Sequence, residues 1–207
     1  GHRTPDIPSG AWSPTANAFC GADVVVVGGG NSAAQLVAEI STEAAATIWV
    51  TLRPPRFLAD GVDGRVLFEV ASRRAAALAA GHSDPGGVAA LGDIVMVPEV
   101  LAARDRGAMT ARPMFDRLTD DGVAWGDRYE NADVILWAKG FRPALGHLQP
   151  LRLRGADGTV PTVGTRALKE PRLHLLGYGD WTGPGSATIL GVGRTAKAAV
   201  AELDPDD

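Results

Sequence analysis

Five residues, Asp23-Val24-Val25-Val26-Val27, run directly into Gly28-Gly29-Gly30-Asn31-Ser32-Ala33. A short, continuously apolar, β-branched run is typical of a parallel strand covered on both faces. After the glycines, Ala33, Leu36, Val37 and Ile40 recur at i, i+3, i+4 and i+7, which is one face of a helix. Thr47-Ile48-Trp49-Val50-Thr51-Leu52 then reads as a second strand, stopped by Pro54-Pro55. Strand, turn, helix and strand fit within one βαβ unit. The turn itself is G-x-G-x-x-A, a variant of the dinucleotide fingerprint. Gly28 makes the sharp exit from the strand. Gly30 leaves room for a pyrophosphate, and Ala33 lets helix and strand pack closely. Gly29, Asn31 and Ser32 complete the turn, and the helix N-terminus offers N–H groups and partial positive charge to phosphates. A glycine-rich turn without a ligand is the competing reading.

The end of the second strand selects between cofactors. NAD-specific sites place Asp or Glu there to bind the ribose 2′-OH. Here the strand runs into Arg53, Arg56 follows, and no acid lies between Glu43 and Asp60. A guanidinium suits a 2′-phosphate. NADPH is therefore expected, with NADH left open, as are two merely solvated arginines.

The rest of the 207 residues extends the same α/β pattern. The expectation is a Rossmann-like parallel sheet with helices on both faces and an inserted β-ribbon. Residues 1–22 are an irregular lead-in rich in Pro, Ser, Gly and Thr. Residues 23–143 form the NAD(P)H-binding domain. It includes a helix over 65–80, a loop over 81–87, a third strand over 93–97, and a ribbon over 108–130 turning at Asp120-Asp121-Gly122. A buried strand over 132–137 completes it. Residues 144–207 are a separate C-terminal segment, with a strand at Leu173-His174-Leu175-Leu176 and a helix from Ser186 to Leu203 weakened by Gly191 and Gly193.

Two later segments extend the pattern to a family. Trp137-Ala138-Lys139-Gly140-Phe141-Arg142-Pro143 resembles an A-T-G-[FY]-x-P segment, and Leu176-Gly177-Tyr178-Gly179-Asp180-Trp181-Thr182-Gly183 resembles a second flavin motif. With the glycine turn and Trp49-Val50-Thr51-Leu52-Arg53-Pro54, the chain resembles the FAD-dependent pyridine nucleotide oxidoreductases with two dinucleotide-binding domains. Bacterial flavin-containing monooxygenase-like proteins, in the thioredoxin-reductase-like group, are the nearest look-alikes. The resemblance covers about residues 20–203. It implies that Gly140 closes the NADPH domain and that Gly179 and Asp180 meet the ribityl chain of FAD. It also implies that the helix after Ser186 points at the pyrimidine edge. Trp181, beside Asp180, is a candidate flavin contact, with a place in the core as the competing reading. Three departures accompany it. No first FAD fingerprint is found, so this chain alone is expected not to hold FAD tightly and to be inactive by itself. Lys139 stands where the family has Thr. Phe19-Cys20-Gly21 starts like a monooxygenase signature, but no His follows.

Other chemistries have little support. The histidines at 2, 82, 147 and 174 lack metal spacing, so no metal is expected. Ser186 is not in a G-x-S-x-G elbow. There is no C-x-x-C pair, and Cys20 alone forms no internal disulfide, which suits the cytoplasm. A net charge of -4 argues against nucleic acid or an anionic membrane as partner. No apolar run approaches the roughly 20 residues of a membrane span. Gly1-His2 fits either an added remnant or a piece of something longer. The leading reading is the NAD(P)H-binding part of a flavin-dependent, monooxygenase-like oxidoreductase. It would take dinucleotide cofactors, with FAD in a full-length context, and an unnamed small-molecule acceptor. A homodimer stays open, and the catalytic residues stay unassigned. The alternatives are a truncated, non-catalytic nucleotide-binding module and a single-domain NAD(P)-dependent dehydrogenase.

Overall fold

The computed structural model describes residues 16–62, 64–83, 86, 92–140 and 143–203. In chain order the elements are β1 (Asp23–Val27), α1 (Asn31–Ile40), β2 (Ala46–Thr51), α2 (Gly64–Ala79), α3 (Pro98–Asp105), β3 (Ala111–Pro113), β4 (Arg117–Leu118), β5 (Gly122–Trp125), β6 (Arg128–Asn131), β7 (Val134–Trp137), β8 (Thr162–Val163), β9 (Arg166–Ala167) and α4 (Ile189–Leu203). By contact the chain divides into two units. One comprises residues 1–63 with 91–140, and the other residues 64–90 with 141–207.

The first unit is built on a parallel sheet of order β3-β2-β1-β7. Successive strand side chains alternate between faces, and β1 shows the consequence. Val24 and Val26 point to one face, where they join Trp49, Ala33, Val37 and Ile40 of α1, Val100 and Ala103 of α3, and the loop residues Ile94 and Met96. Val25 and Val27 point to the other face, where with Val50 they meet Phe115, Val123 and Ala132. That second face is covered by the antiparallel ribbon β4-β5-β6. Both faces of β1 are thus dry, which is what an uninterrupted valine run requires. Each such burial stabilises by about 1.5–3 kcal/mol per large apolar side chain before entropy is counted. The Rossmann-like α/β class, with its inserted ribbon, is the one the periodicity predicts.

Several local expectations are corrected. The segment 93–97 forms no strand, only a bridge between Phe57 and Ile94. Its backbone is taken up by a loop instead: Leu58 N donates to the Ile94 carbonyl, and Asp93 N to that of Arg56. Its place beside β2 belongs to β3, which leaves the anticipated ribbon to join the main sheet. Helix α3 was not anticipated, although Pro98 at its start, Glu99 in its first turn and Arg104 in its last are ordinary helix signals. The expected ribbon turn is present, with Thr119 N donating to the Gly122 carbonyl. The first described residues, Ala16–Phe19, form a 3-10 turn that buries Phe19.

The second unit holds α2, the hairpin β8-β9 and α4, with a small core of Leu145, Leu153, Val160, Ala167 and Leu175. The strand expected at 173–176 reduces to one bridge, Arg166 to His174. Gly177 and the 3-10 turn Gly179–Thr182 divert the chain there. The helix expected from Ser186 starts at Ile189, because Ser186 is committed to a buried hydrogen-bond chain.

Candidate functional site

The glycine turn emerges at the C-terminal end of β1, the edge where ligands bind in open α/β sheets. Gly28 N donates to the Val50 carbonyl at 2.9 Å, Ala138 N donates to that of Val27 at 2.8 Å, and the Trp49 indole N–H donates to that of Gly28 at 2.7 Å. The turn is therefore pinned from the strands on both sides. Gly28 has φ +153°, and a Cβ there would overlap the Ala138 carbonyl and sit 3.1 Å from Ala33 Cβ. Only glycine fits. Ala33 is fully buried, so helix and strand pack closely as its small side chain implies. Gly30 is different. Its φ of -111° suits any residue, and no described atom lies within 4 Å of where its Cβ would be.

Gly30 is also the N-cap of α1, and among the described residues no side chain caps that helix. The first-turn N–H groups thus lack the side-chain acceptor that usually satisfies one of them. Asn31 supplies none, because its Oδ1 accepts from Val95 N at 2.7 Å and ties the turn to the 92–97 loop. A cleft of about 570 Å³ opens here, lined by residues 27–32, Leu52, Met114, Trp137 and residues 138–140. The sequence-selected Gly28, Gly29, Gly30, Asn31, Ser32 and Gly140 come together in it. Trp49, Leu52, Met114 and Trp137 were not singled out as site residues. An indole N–H in a strand that needs a partner was the available signal for Trp49.

The two arginines part company. Arg53 follows β2 and is exposed, with no ion pair among the described residues. Arg56 grips Asp93 with both Nε (2.9 Å) and Nη2 (2.8 Å). This hydrogen-bonded pairing, reinforced by charge, lowers the Asp93 carboxyl below its usual range and raises the guanidinium. Arg56 thus helps hold the 56–58 loop against the 93–94 segment.

In the second unit, Gly179 and Asp180 sit in the 3-10 turn Gly179–Thr182; the Asp180 side chain is outside the described residues. A directed chain of bonds shapes this turn. Tyr178 N donates to Thr182 Oγ1 (3.1 Å), Thr182 Oγ1 pairs with Ser186 Oγ (2.9 Å), and Ser186 Oγ donates to the Gly179 carbonyl (2.7 Å). Because Ser186 spends its proton on Gly179, Thr182 is the donor between the two hydroxyls. Both residues are fully buried. Trp181 donates its indole N–H to the Val160 carbonyl at 2.6 Å and packs edge-on against Tyr178, so it is engaged in the unit's own core. His174 Nδ1 pairs with the buried Thr165 hydroxyl at 2.9 Å, a structural use.

The parallel sheet, the pinned glycine turn and the uncapped helix define a Rossmann-like unit. More particularly, the chain is similar to flavin-containing monooxygenases. It is 43% identical to the flavin-containing monooxygenase from Stenotrophomonas maltophilia, with a TM-score of 0.74, covering 93% of this chain and 53% of that one. A double mutant of the Stenotrophomonas flavin monooxygenase gives 45% identity and the same TM-score, covering 92% and 52%. The bacillithiol disulfide reductase of Staphylococcus aureus shares the fold at 16% identity, TM-score 0.52, with 93% of this chain and 54% of that one covered. The chain spans about half the length of each. No protein-family model matches it, and no curated protein does. The family resemblance read from the three motifs is borne out. Among the described residues, no helix is long and apolar enough to cross a membrane.

Proposed function

We propose that this chain is the NADPH-binding part of a flavin-dependent, monooxygenase-like oxidoreductase. The observation that carries the reading is the open space at Gly30 beside an uncapped helix, within a cleft lined by the whole glycine turn. The extended backbone at Gly30 admits any residue, although glycine also serves as an N-cap. The arrangement suits a pyrophosphate, which needs close backbone approach and free N–H donors. The 43% identity to a flavin-containing monooxygenase supports the oxidoreductase assignment.

NADPH, when bound, supplies a hydride to an acceptor, here the flavin of FAD. The chain's own residues bind and orient. The α1 N-terminus and the turn hold the pyrophosphate, and Arg53 meets the 2′-phosphate beyond β2. Gly179 and Asp180 in the second unit are proposed to meet the ribityl chain of FAD in a full-length context. Arg56, already paired with Asp93, contributes less to the cofactor than Arg53 does.

Equilibrium titration of the purified chain with NADPH and with NADH tests the selectivity. Arg53→Ala should weaken NADPH by about 1.5–3 kcal/mol, the scale of a charge-assisted hydrogen bond, and leave NADH nearly unchanged. Equal weakening of both cofactors would remove Arg53 from the 2′-phosphate site.

A further inference from the structure

The cleft beside the glycine turn contains a charge that the family resemblance does not explain. Among the described residues lining it, Lys139 alone has a basic or acidic side chain. No described acid lines the cleft, and Lys139 forms no ion pair with any described residue. In a chain of net charge -4, a lysine with no carboxylate partner among the described residues is notable, because acids are in excess. Its ammonium lies over the Trp137 ring, 4.9 Å from the centroid. That ring is itself fixed, packing edge-on against the buried Phe115 at 5.9 Å. A cation–π contact at an exposed site is weak. It holds the ammonium in a defined place without neutralising it, so the charge remains available to an anion.

The sheet order says which part of a dinucleotide would meet it. β1, which leads into the turn, lies between β2 and β7. All three strands are parallel, so Arg53, the turn and Lys139 leave the same edge in that lateral order. Val27 is in register with Trp137, which puts Ala138 against Gly28, and Lys139 follows into the cleft lining. A ligand whose pyrophosphate sits on the turn and whose 2′-phosphate reaches toward Arg53 must send its other half over β7. We propose that Lys139 is the charge partner of the dinucleotide's pyrophosphate on the nicotinamide side, held ready over Trp137 in the free protein. This rests on the dinucleotide reading of the cleft and adds a contact made equally by NADPH and NADH. It is distinct from Arg53, which would distinguish the two. A long cation replacing the small residue of the resembling segment thus compensates, with a formal charge, for reliance on backbone donors alone.

The test compares the parent chain with Lys139→Met, which keeps the apolar stem, and Lys139→Arg, which keeps the charge. Each is titrated with NADPH, NADH and 2′,5′-ADP, the last carrying only the adenosine-side phosphates. Lys139→Met should weaken NADPH and NADH alike, by about 10-fold or more, as expected for a lost charge-assisted bond. It should leave 2′,5′-ADP close to the parent value. The parent's NADPH affinity should also fall more steeply with added salt than the variant's. Lys139→Arg should bind all three near parent strength. Unchanged binding in Lys139→Met overturns the proposal, as does a loss confined to NADPH and 2′,5′-ADP, or a loss shared by Lys139→Arg. A parent chain that binds none of the three overturns the dinucleotide reading itself, a result separate from any effect of Lys139.

Discussion

Two glycines two residues apart answer different constraints. Gly28 is required by the fold: its φ of +153° and the Ala138 carbonyl leave no room for a side chain. Gly30 is under no such constraint in the free chain. Gly28→Ala should therefore lower the stability of the first unit by about 1–3 kcal/mol, the cost of forcing a side chain into a sparsely allowed backbone region. Thermal or urea unfolding measures this directly, and an unchanged midpoint would mean that the turn is looser than its hydrogen bonds imply. The glycine spacing was legible in the sequence because G-x-G-x-x-A is a local pattern. The partners that fix it were not. Trp49 bonds the Gly28 carbonyl, and Asn31 is held by Val95 N, 64 residues further along the chain. The basic character of positions 53 and 56 was equally visible, but not that Asp93 would engage one of them. Sequence spacing says nothing about which distant loop folds against a given side chain.

At the scale of elements, legibility follows periodicity. β1 matches its expected bounds, and β2 and α2 fall within one residue of theirs, because each carries its own strong pattern. The failures share a cause. Residues 93–97 and 173–176 are apolar enough for strands, but tertiary pairing gives them only single bridges. Their side chains still reach buried positions, as Ile94 and Leu175 show, so the apolar signal reported burial and not strand pairing. The turn Gly179–Thr182 is shaped by a hydroxyl chain that no local pattern announces. Thr182→Val keeps the shape of the side chain but leaves Tyr178 N without its acceptor and Ser186 Oγ without its donor. It should destabilise the second unit by about 1–3 kcal/mol, the cost of buried polar groups left unsatisfied. Denaturant unfolding followed by far-UV circular dichroism and tryptophan fluorescence provides the measurement. A loss below a few tenths of a kcal/mol would show that the chain of bonds is not maintained in solution.

At the scale of the whole molecule, the fold class and the relationship to flavin monooxygenases were both readable, because three motifs occur in a fixed order along the chain. How the chain divides was less accessible. Helix α2 interrupts the first unit in sequence and clusters with the second, a long-range grouping that leaves no compositional mark. The chain spans only about half of its flavin-containing monooxygenase relative, and the function proposed for it rests chiefly on the glycine-turn cleft. Calorimetric titration of NADPH into the parent chain and into Gly30→Val tests that most directly. No described atom surrounds the Gly30 Cβ position, so the variant should keep the parent's circular dichroism, with only a modest drop in unfolding midpoint from placing Val at an N-cap. The parent should bind NADPH saturably at one site, and Gly30→Val should show no measurable binding, because its side chain fills the pyrophosphate's space. A folded Gly30→Val that binds NADPH as tightly as the parent would contradict the account.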